Sequence, residues 1–444
     1  MGGSAPLSSS ALVRSVGLGG IAAFVLNGIV GAGVFAFPAL VAAQAGGLAP
    51  WVVLLVGAMM LPIVLVMARL ATLYSGTGGP ILYVEEAFGR TAGFQIGWMQ
   101  TLSSLAALSA NVNVMADYLL RADGVGAGVR LGIAPGLALD PHALLVVAAI
   151  ALLAALNLGR VAGVSRLLQI GSVAKLAPLV LLILLALPLV LSGGGAAVHA
   201  GAHDLVKAGL VAAFAFVGFE GALTVAGEAR QPERDLPRAV IMVFAGVTLL
   251  YAVLCWVYVA IAYVPGPADA APLATLAARL IGGAGALVVA LTAAISVFAN
   301  TMFTVLITSR RLVVFAERDT APGWLARLSV PGAVPRHAVL VICAVAAGLA
   351  LSGGFAALAL ISVASRLLVY LGCIAALPVI ERRRGLATSG VQRVILAAAV
   401  LLALVLMAGT SWQAWLGLAA TAVAGVLMVA LHRATRTTGN GAIR

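Results

Sequence analysis

Charged residues are scarce in this sequence. Of its 444 residues only 9% are charged and 63% are hydrophobic, whereas a soluble globular domain carries about 25% charged residues. A chain with so few polar side chains could not cover a surface that faces water. The composition therefore excludes a soluble enzyme, a disordered protein and a nucleic-acid partner, and it predicts a lipid bilayer as the surroundings. With about 20 apolar residues to a span, the length allows about 12 spans with short loops.

Cysteine and histidine, the residues of metal centres and of many active sites, are also few. The three cysteines, Cys255, Cys343 and Cys373, lie in apolar runs, and the five histidines are scattered without paired spacing. Neither set forms a metal or disulfide pattern. No predicted span carries a zinc-protease motif, a serine-hydrolase motif or a pair of carboxylates, and the sequence contains no P-loop. We therefore expect neither an enzyme nor an ATP-driven pump, and we expect no metal and no cofactor.

Acidic residues are outnumbered by basic ones, with 14 Asp and Glu against 26 Lys and Arg. The basic residues indicate topology rather than an anionic ligand, because membrane proteins concentrate Lys and Arg in their cytoplasmic loops. With the N-terminus inside, most of the basic residues fall on the cytoplasmic side, and Arg310 and Arg311 are among them. The residues that fall outside are Arg121, Arg130, Lys207 and Arg279. We expect a multi-pass protein of the plasma (inner) membrane with both termini in the cytoplasm.

The first predicted span contains Gly28, Gly31 and Gly33 in quick succession, followed by Pro38. Such a density of glycine disfavours a continuous helix. One interpretation is close packing of neighbouring helices on small residues. The other is an unwound segment whose free amide and carbonyl groups bind a small zwitterion.

The sixth predicted span contains a glutamate, Glu220, between Gly218 and Gly221. A carboxylate inside a membrane is costly unless it is paired or protonated, which makes Glu220 a functional candidate.

A glycine of the first span and one of the sixth are separated by nearly the same number of residues as a second pair of residues. The separation of Gly28 from Gly218 is within one residue of the separation of Lys175 from Arg366, the two basic residues inside spans. A repeat of five helices produces such a common offset, and an odd number of helices gives the two copies opposite orientations in the membrane. The predicted organisation is a cytoplasmic tail 1–14, a first repeat 15–192, a second repeat 207–380, two further helices within 392–432 and a cytoplasmic tail 433–444.

Three stretches resemble the amino acid–polyamine–organocation (APC) superfamily of transporters, whose members have the LeuT-type fold. They are residues 28–35 in the first span, 169–176 in the fifth, and 216–220 in the sixth together with the charged connector 228–238. The resemblance implies an all-α polytopic membrane protein of about 12 helices. It also implies a five-plus-five inverted repeat, broken helices 1 and 6, and two additional C-terminal helices.

The resemblance further implies a substrate site made mostly of main chain. The substrate carboxylate would lie on amide groups after the first break, where a helix N-terminus is electropositive, and the α-amino group would meet carbonyl oxygens. Relatives often carry a hydroxyl side chain where this chain has Ala32. The substrate residues implied are Ile29, Gly31, Ala32, Gly33, Phe214, Ala215 and Val217, with Ser103 and Ser104 of the third span as a pocket wall.

A polar stripe follows one face of the eighth predicted span, where Ser296, Asn300 and Thr304 recur every four residues. Such a stripe either lines the cavity or hydrogen-bonds to a neighbouring helix. The first alternative adds Thr304 to the substrate residues.

Lys175 is the only lysine inside a predicted span. It lies about ten residues into the fifth span, roughly 15 Å deep at 1.5 Å per residue, which is too deep for its ammonium group to reach the interface easily. In proton-coupled relatives a lysine stands where sodium-coupled ones bind Na⁺. The resemblance thus implies that Lys175 bridges the fifth span to the break in the first and to the eighth. It would either exchange protons during transport or stay charged as a brace.

Glu220 and Arg366 are acidic and basic residues inside spans that the repeat packs together. We expect the two side chains to pair or to share a water, since each relieves the desolvation of the other. The resemblance to antiporters places Glu220, Tyr370 and Gln100 in a cytoplasmic gate. The alternative is a structural ion pair without a gating role.

The leading hypothesis is a secondary active transporter of amino acids. It would take up neutral L-amino acids with protons by alternating access, the substrate being held by the unwound backbone of helices 1 and 6. An obligate exchanger, for which Glu220 keeps cationic amino acids or polyamines open, is the first alternative. A non-transporting membrane sensor, which would usually carry a soluble output domain, is the second. The expected partners are an amino acid, protons and lipid, and the protein would be a monomer or a homodimer.

Overall fold

A computed structural model gives the fold of the chain. It describes residues 17–74, 79–122, 131–134, 137–158, 175–193, 204–223, 231–318, 320–329, 334–410 and 412–441. The predicted tail 1–14, residues 169–174 of the fifth-span motif and the first part of the connector 228–238 lie outside these ranges.

The described chain is almost entirely helical, which confirms the predicted all-α class. Its helices are α1 (Leu18–Ile29), α2 (Gly33–Ala45), α3 (Ala49–Thr72), α4 (Pro80–Phe88), α5 (Arg90–Ala122), α6 (Pro141–Asn157), α7 (Leu176–Leu191), α8 (Leu205–Phe216), α9 (Glu220–Leu223), α10 (Pro232–Ile261), α11 (Pro272–Glu317), α12 (Arg336–Ser352), α13 (Phe355–Arg383), α14 (Gly390–Ala408) and α15 (Trp412–Gly441). A short antiparallel hairpin, β1 (Leu131–Ala134) and β2 (Leu137–Leu139), lies between α5 and α6. The last helix continues past residue 432, so the predicted tail 433–444 begins as helix.

The lengths and composition of the helices suit a membrane. Five stretches of the described chain are long and apolar enough to cross one: Gly33–Thr72, Glu233–Ile261, Pro272–Glu317, Phe355–Arg383 and Gly390–Ala408. Shorter apolar helices, among them α1, α6, α7, α8 and α12, accompany them. Large apolar side chains such as Leu184 and Leu401 are more than half exposed, as a lipid-facing surface requires. The protein is therefore a polytopic membrane protein.

Two spans are broken where glycines cluster. Helix α1 ends at Ile29 and α2 begins at Gly33, and α8 ends at Phe216, before α9 begins. The two breaks touch: a Cβ atom on Gly28 would lie 2.5 Å from the carbonyl oxygen of Gly218, whose φ is +113°. The segment is therefore unwound and also packs closely on another break, while its binding of a zwitterion stays a prediction.

Helices five spans apart pack against each other. Helix α2 contacts α8, α3 contacts α10, α5 contacts α11, and α6 contacts α12. Each pair joins a helix of the predicted first repeat to its counterpart in the second, which is how two interlocked inverted copies would pack. The boundaries 15–192 and 207–380 themselves stay a prediction. Helices α14 and α15 lie outside these pairs, against α3 and α5 respectively.

Candidate functional site

A cavity of about 570 Å³ lies between the two breaks. The first break contributes main chain from Gly28 to Gly33, and the second contributes Val217 and Gly218. Helix α5 adds Gln100, Ser104 and Asn111; α11 adds several residues from Asn300 to Val314, and Arg318 follows the end of that helix. Small-molecule sites are typically about 300–1,000 Å³ in volume, so an amino acid fits this space.

The cavity is closed at the end formed by α2 and α8. The ring of Phe214 packs edge-on against that of Phe355, with centroids 5.3 Å apart. The hydroxyl of Tyr118 on α5 also ties down the start of α2, donating to the carbonyl oxygen of Phe35 at 2.7 Å. At the other end the cavity reaches Arg318, whose side chain is 34% exposed. Access is therefore along α11.

Amide groups are available at the first break. The amide of Gly31 already donates to the carbonyl oxygen of Ile29 at 2.9 Å. The amides of Ala32 and Gly33 have no hydrogen-bond partner among the described residues. Gly33 is the first residue of α2, so these two amides lie at the electropositive end of a helix. The carbonyl oxygen of Ile29 also accepts from the hydroxyl of Tyr251 at 3.3 Å.

Lys175 precedes α7 and is 3% exposed. Its Nζ donates to the side-chain oxygen Oδ1 of Asn27 and to the carbonyl oxygen of Val30, both at 2.6 Å. The ammonium group thus satisfies a carbonyl that unwinding has released from the helix. It joins the fifth span directly to the first break.

The predicted bridge from Lys175 to the eighth span is indirect in the described residues. Asn300 of α11 donates from Nδ2 to the carbonyl oxygen of Asn27 at 3.0 Å, and its Oδ1 accepts from Asn111 at 3.2 Å. Lys175 and Asn300 therefore meet at the same residue, Asn27, rather than each other. Sequence analysis missed Asn27 and Asn111, although amide side chains inside apolar spans are a usable signal.

Glu220 is the centre of a polar cluster at the second break. Its Oε1 lies 3.1 Å from Nε of Arg366. Its Oε2 accepts from the hydroxyl of Tyr370 at 2.8 Å and from the amide of Gly218 at 3.0 Å. The structure thus brings together Glu220, Arg366 and Tyr370, all of them buried. Gln100 lies in the cavity wall, but none of these contacts involves it.

The position of Ser103 differs from the predicted one in the pocket wall. This residue does not line the cavity: its hydroxyl accepts from Nε of Arg366 at 3.0 Å and donates to the carbonyl oxygen of Ser362 at 2.9 Å. Successive residues of a helix point about 100° apart, so only Ser104 faces the cavity.

Of the remaining predicted substrate residues, some line the cavity and one does not. Phe214, Val217 and Thr304 line the cavity, whereas Ala215 does not. The backbone of Ala215 packs under Gly33, where an added Cβ atom would lie 3.2 Å from its Cα. Of the polar stripe, Asn300 both lines the cavity and bonds to α1, so the two alternatives coexist.

Arg311 is the functional candidate that sequence analysis missed, because the topology argument counted it among cytoplasmic basic residues. Helix α11 continues to Glu317, and Arg311 lies in the cavity wall. Its Nη1 donates to the hydroxyl of Ser104 at 3.3 Å. The apolar residues 312–316 that follow it are the signal that could have placed it inside the span.

Comparison with known proteins identifies the family of this chain. The family model described as amino acid permease matches residues 17–431. The chain belongs to the amino acid permease family. This family lies within the APC superfamily, so the resemblance noted from the sequence is confirmed.

The relatives of this permease are transporters. An uncharacterized transporter of Mycobacterium tuberculosis is 29% identical over 360 residues, which cover 76% of this chain and 74% of the relative. A cadaverine/lysine antiporter of Escherichia coli is 28% identical over 240 residues, covering 52% and 50%. The large neutral amino acids transporter small subunit 2 of Mus musculus is 26% identical over 359 residues, covering 75% and 64%. These relatives are transporters rather than enzymes.

Proposed function

We propose that this permease is a secondary active transporter that takes up α-amino acids by alternating access and is coupled to protons through Lys175. The observation that carries the proposal is the ammonium group at the first break, where Nζ of Lys175 is 2.6 Å from both Asn27 Oδ1 and the carbonyl oxygen of Val30. A positive charge is thus held by the protein itself beside the substrate cavity. Such a site has no need of a sodium ion.

The main chain of the breaks supports recognition of the amino acid zwitterion. The unpartnered amides of Ala32 and Gly33 would bind the α-carboxylate. The α-amino group would donate to carbonyl oxygens at the first break and at the end of α8, around Ile29 and Val217, which both line the cavity. The last carbonyls of a helix lack partners within it. These contacts are common to all α-amino acids, so they do not select a side chain.

The charges of the cavity wall support a substrate without a cationic side chain. Arg310, Arg311, Arg318 and Arg366 line the cavity, and Glu220 is the only acidic residue among its described lining residues. Glu220 is already paired with Arg366, and Arg318 is paired with Glu85 outside the lining, so Arg310 and Arg311 are the lining charges without a carboxylate partner among the described residues. A cadaverine-like or lysine-like substrate would meet net positive charge here. Neutral L-amino acids avoid this repulsion, and so do acidic ones.

Proton coupling would act through the hydrogen bonds of Lys175. The protonated amine ties α7 to the first break, and Asn300 holds Asn27 from the opposite side. Loss of the proton removes the charge-assisted part of these bonds, which is about half of their strength. The break would then be freer to move between its outward-facing and inward-facing positions.

The test is uptake of radiolabelled amino acids into proteoliposomes with an inward proton gradient and without sodium. We expect accumulation that depends on the gradient in the wild type and is lost at every pH in Lys175→Ala. The matched control is Lys207→Ala, because Lys207 is the only other lysine and is exposed. This variant should accumulate substrate like the wild type.

Other results would overturn parts of the proposal. Uptake that ignores the gradient and requires amino acid inside the liposomes would identify an obligate exchanger, with Lys175 as a brace. Wild-type-like uptake by Lys175→Ala would remove any role for this residue. Absence of transport despite binding would favour the sensor alternative.

A further inference from the structure

The charge of Arg311 is not balanced by the groups around it. Its guanidinium group donates to the hydroxyl of Ser104, a neutral partner. None of the carboxylates in the described ranges lies within salt-bridge distance of it. Glu220 is near enough to interact electrostatically, but its charge already pairs with Arg366, and it also accepts from Tyr370 and the amide of Gly218. Arg366 is a second positive charge acting on Arg311.

An unbalanced guanidinium group beside a cavity is a site for an anion. A charge that has lost part of its hydration is costly unless an opposite charge or polar ligand replaces the water. The planar fork of arginine offers several N–H donors that match a carboxylate in two-point geometry. Arg311 uses only one of its donors within the described residues. The remaining donors are available to a ligand in the cavity.

We propose that Arg311 and Ser104 form a subsite for the side-chain carboxylate of an acidic amino acid, so that the preferred substrate is a dicarboxylic one. This inference rests on the proposed function and refines its substrate class. The α-carboxylate would lie on the amides of Ala32 and Gly33, and the second carboxylate would lie nearer the accessible end of the cavity, at Arg311. Cavity access along α11 passes this subsite.

The separation of the two positions suits a substrate of the length of glutamate. The level of the first break on α5 is marked by Asn111, which bonds Asn300 beside Gly31. Ser104 precedes Asn111 by two helical turns, about 10 Å along the axis. The terminal carbons of extended glutamate are about 5 Å apart, and a hydrogen bond at each end adds about 3 Å. The sum is close to this axial separation of Ser104 and Asn111, whereas aspartate is one carbon shorter.

The experiment compares initial uptake rates of L-glutamate, L-aspartate, L-glutamine and L-leucine in proteoliposomes with the proton gradient. We expect the wild type to prefer glutamate over glutamine by about tenfold or more, since a charged hydrogen bond is about twice as strong as a neutral one. Arg311→Gln should lower this ratio about tenfold, chiefly by raising KM for glutamate. Arg311→Lys, which keeps the charge but not the fork, should recover part of the ratio.

The matched control is Arg327→Gln, which removes the same charge from a residue outside the cavity lining. Arg327 is exposed, so water screens its charge, and its loss should change the glutamate-to-glutamine ratio by less than about twofold. An equal fall of the glutamate-to-glutamine ratio in both arginine variants would indicate a nonspecific effect of removing a positive charge. That result would overturn the subsite. Gel filtration of each variant identifies any that fails to fold.

Three outcomes distinguish a failure of this inference from a failure of the proposed transport function. If the wild type accumulates neutral amino acids but not glutamate, the subsite is wrong and the transport proposal stands. If neutral uptake requires chloride and Arg311→Gln removes the requirement, the anion is a free ion and the side-chain subsite is again wrong. If no amino acid is accumulated, both proposals are wrong.

Discussion

Gly28 and Gly218 are the residues on which the contact between the two breaks depends. Each lies where an added Cβ atom would overlap the carbonyl oxygen of the other. Gly218 also has a backbone conformation, φ +113°, that side chains other than that of glycine rarely adopt. The two glycines therefore let unwound main chain from both halves of the molecule meet beside the cavity.

Substitution of Gly28 by alanine tests this contact. We expect Gly28→Ala to destabilise the protein by about 1–3 kcal/mol through overpacking and to reduce uptake at least tenfold. Thermal unfolding in detergent and proteoliposome uptake measure the two effects. Gly19→Ala is the control in the same helix, because a Cβ atom at Gly19 meets nothing within 4 Å. Equal effects of the two substitutions would show that the contact is unimportant.

At the scale of elements, the cluster of Glu220, Arg366 and Tyr370 ties the short helix α9 to α13. Glu220 begins α9, and Arg366 and Tyr370 lie one helical turn apart on α13. The ring of Tyr370 also stacks on that of Phe219, with centroids 5.6 Å apart. These contacts hold the inner half of the sixth span against the tenth. Any motion of α9 during transport must break or carry them.

A double-mutant cycle separates a gate from a structural ion pair. Arg366→Met leaves the buried carboxylate of Glu220 without its counter-charge, and we expect it to cost about 3–5 kcal/mol of unfolding free energy. Adding Glu220→Gln should recover most of this loss, since the pair is then neutral. Thermal unfolding of the two single variants and the double variant measures the coupling.

Uptake by the same double variant decides the role of the pair. A stable but inactive protein would indicate a gate, and a stable and active one a structural pair. Strictly additive losses of stability would contradict the pairing itself.

At the scale of the whole molecule, the structure is closed at one end and accessible at the other. The packed rings of Phe214 and Phe355 close the end at α2 and α8. The accessible end carries Arg310 and Arg318. Because basic residues concentrate on the cytoplasmic side, we propose that this is an inward-facing arrangement and that both termini lie in the cytoplasm of a cell with the protein in its plasma membrane.

Cysteine labelling from one side of the membrane tests this orientation. Val314 lines the cavity near its accessible end, and we expect Val314→Cys to react with a membrane-impermeant maleimide only in inside-out vesicles. Val264, exposed beyond the end of α10, is predicted on the opposite side. Val264→Cys should therefore react only in right-side-out vesicles. The native cysteines are buried and give little background; the reverse labelling pattern would refute the proposed topology.

Composition and local sequence pattern are sufficient to predict the membrane location, the two helix breaks and several candidate site residues of this protein. Few charges and long apolar runs require a bilayer, because so apolar a surface is stable only in lipid. Clustered glycines locate both breaks, because glycine is a poor helix former inside a span. Rare intramembrane charges identify Lys175, Glu220 and Arg366, because burying each one is costly without a partner. All of these signals are local in the chain.

Only the packing of the helices decides which face of a span meets the cavity. It turns Ser104 into the cavity and Ser103 toward α13, it makes Asn27 the common partner of Lys175 and Asn300, and it leaves Arg311 in the wall. The physical reason is that spans apolar all round their circumference carry almost no amphipathic signal. Their rotation is set by contacts between residues far apart in the chain, which no local pattern of apolar residues encodes.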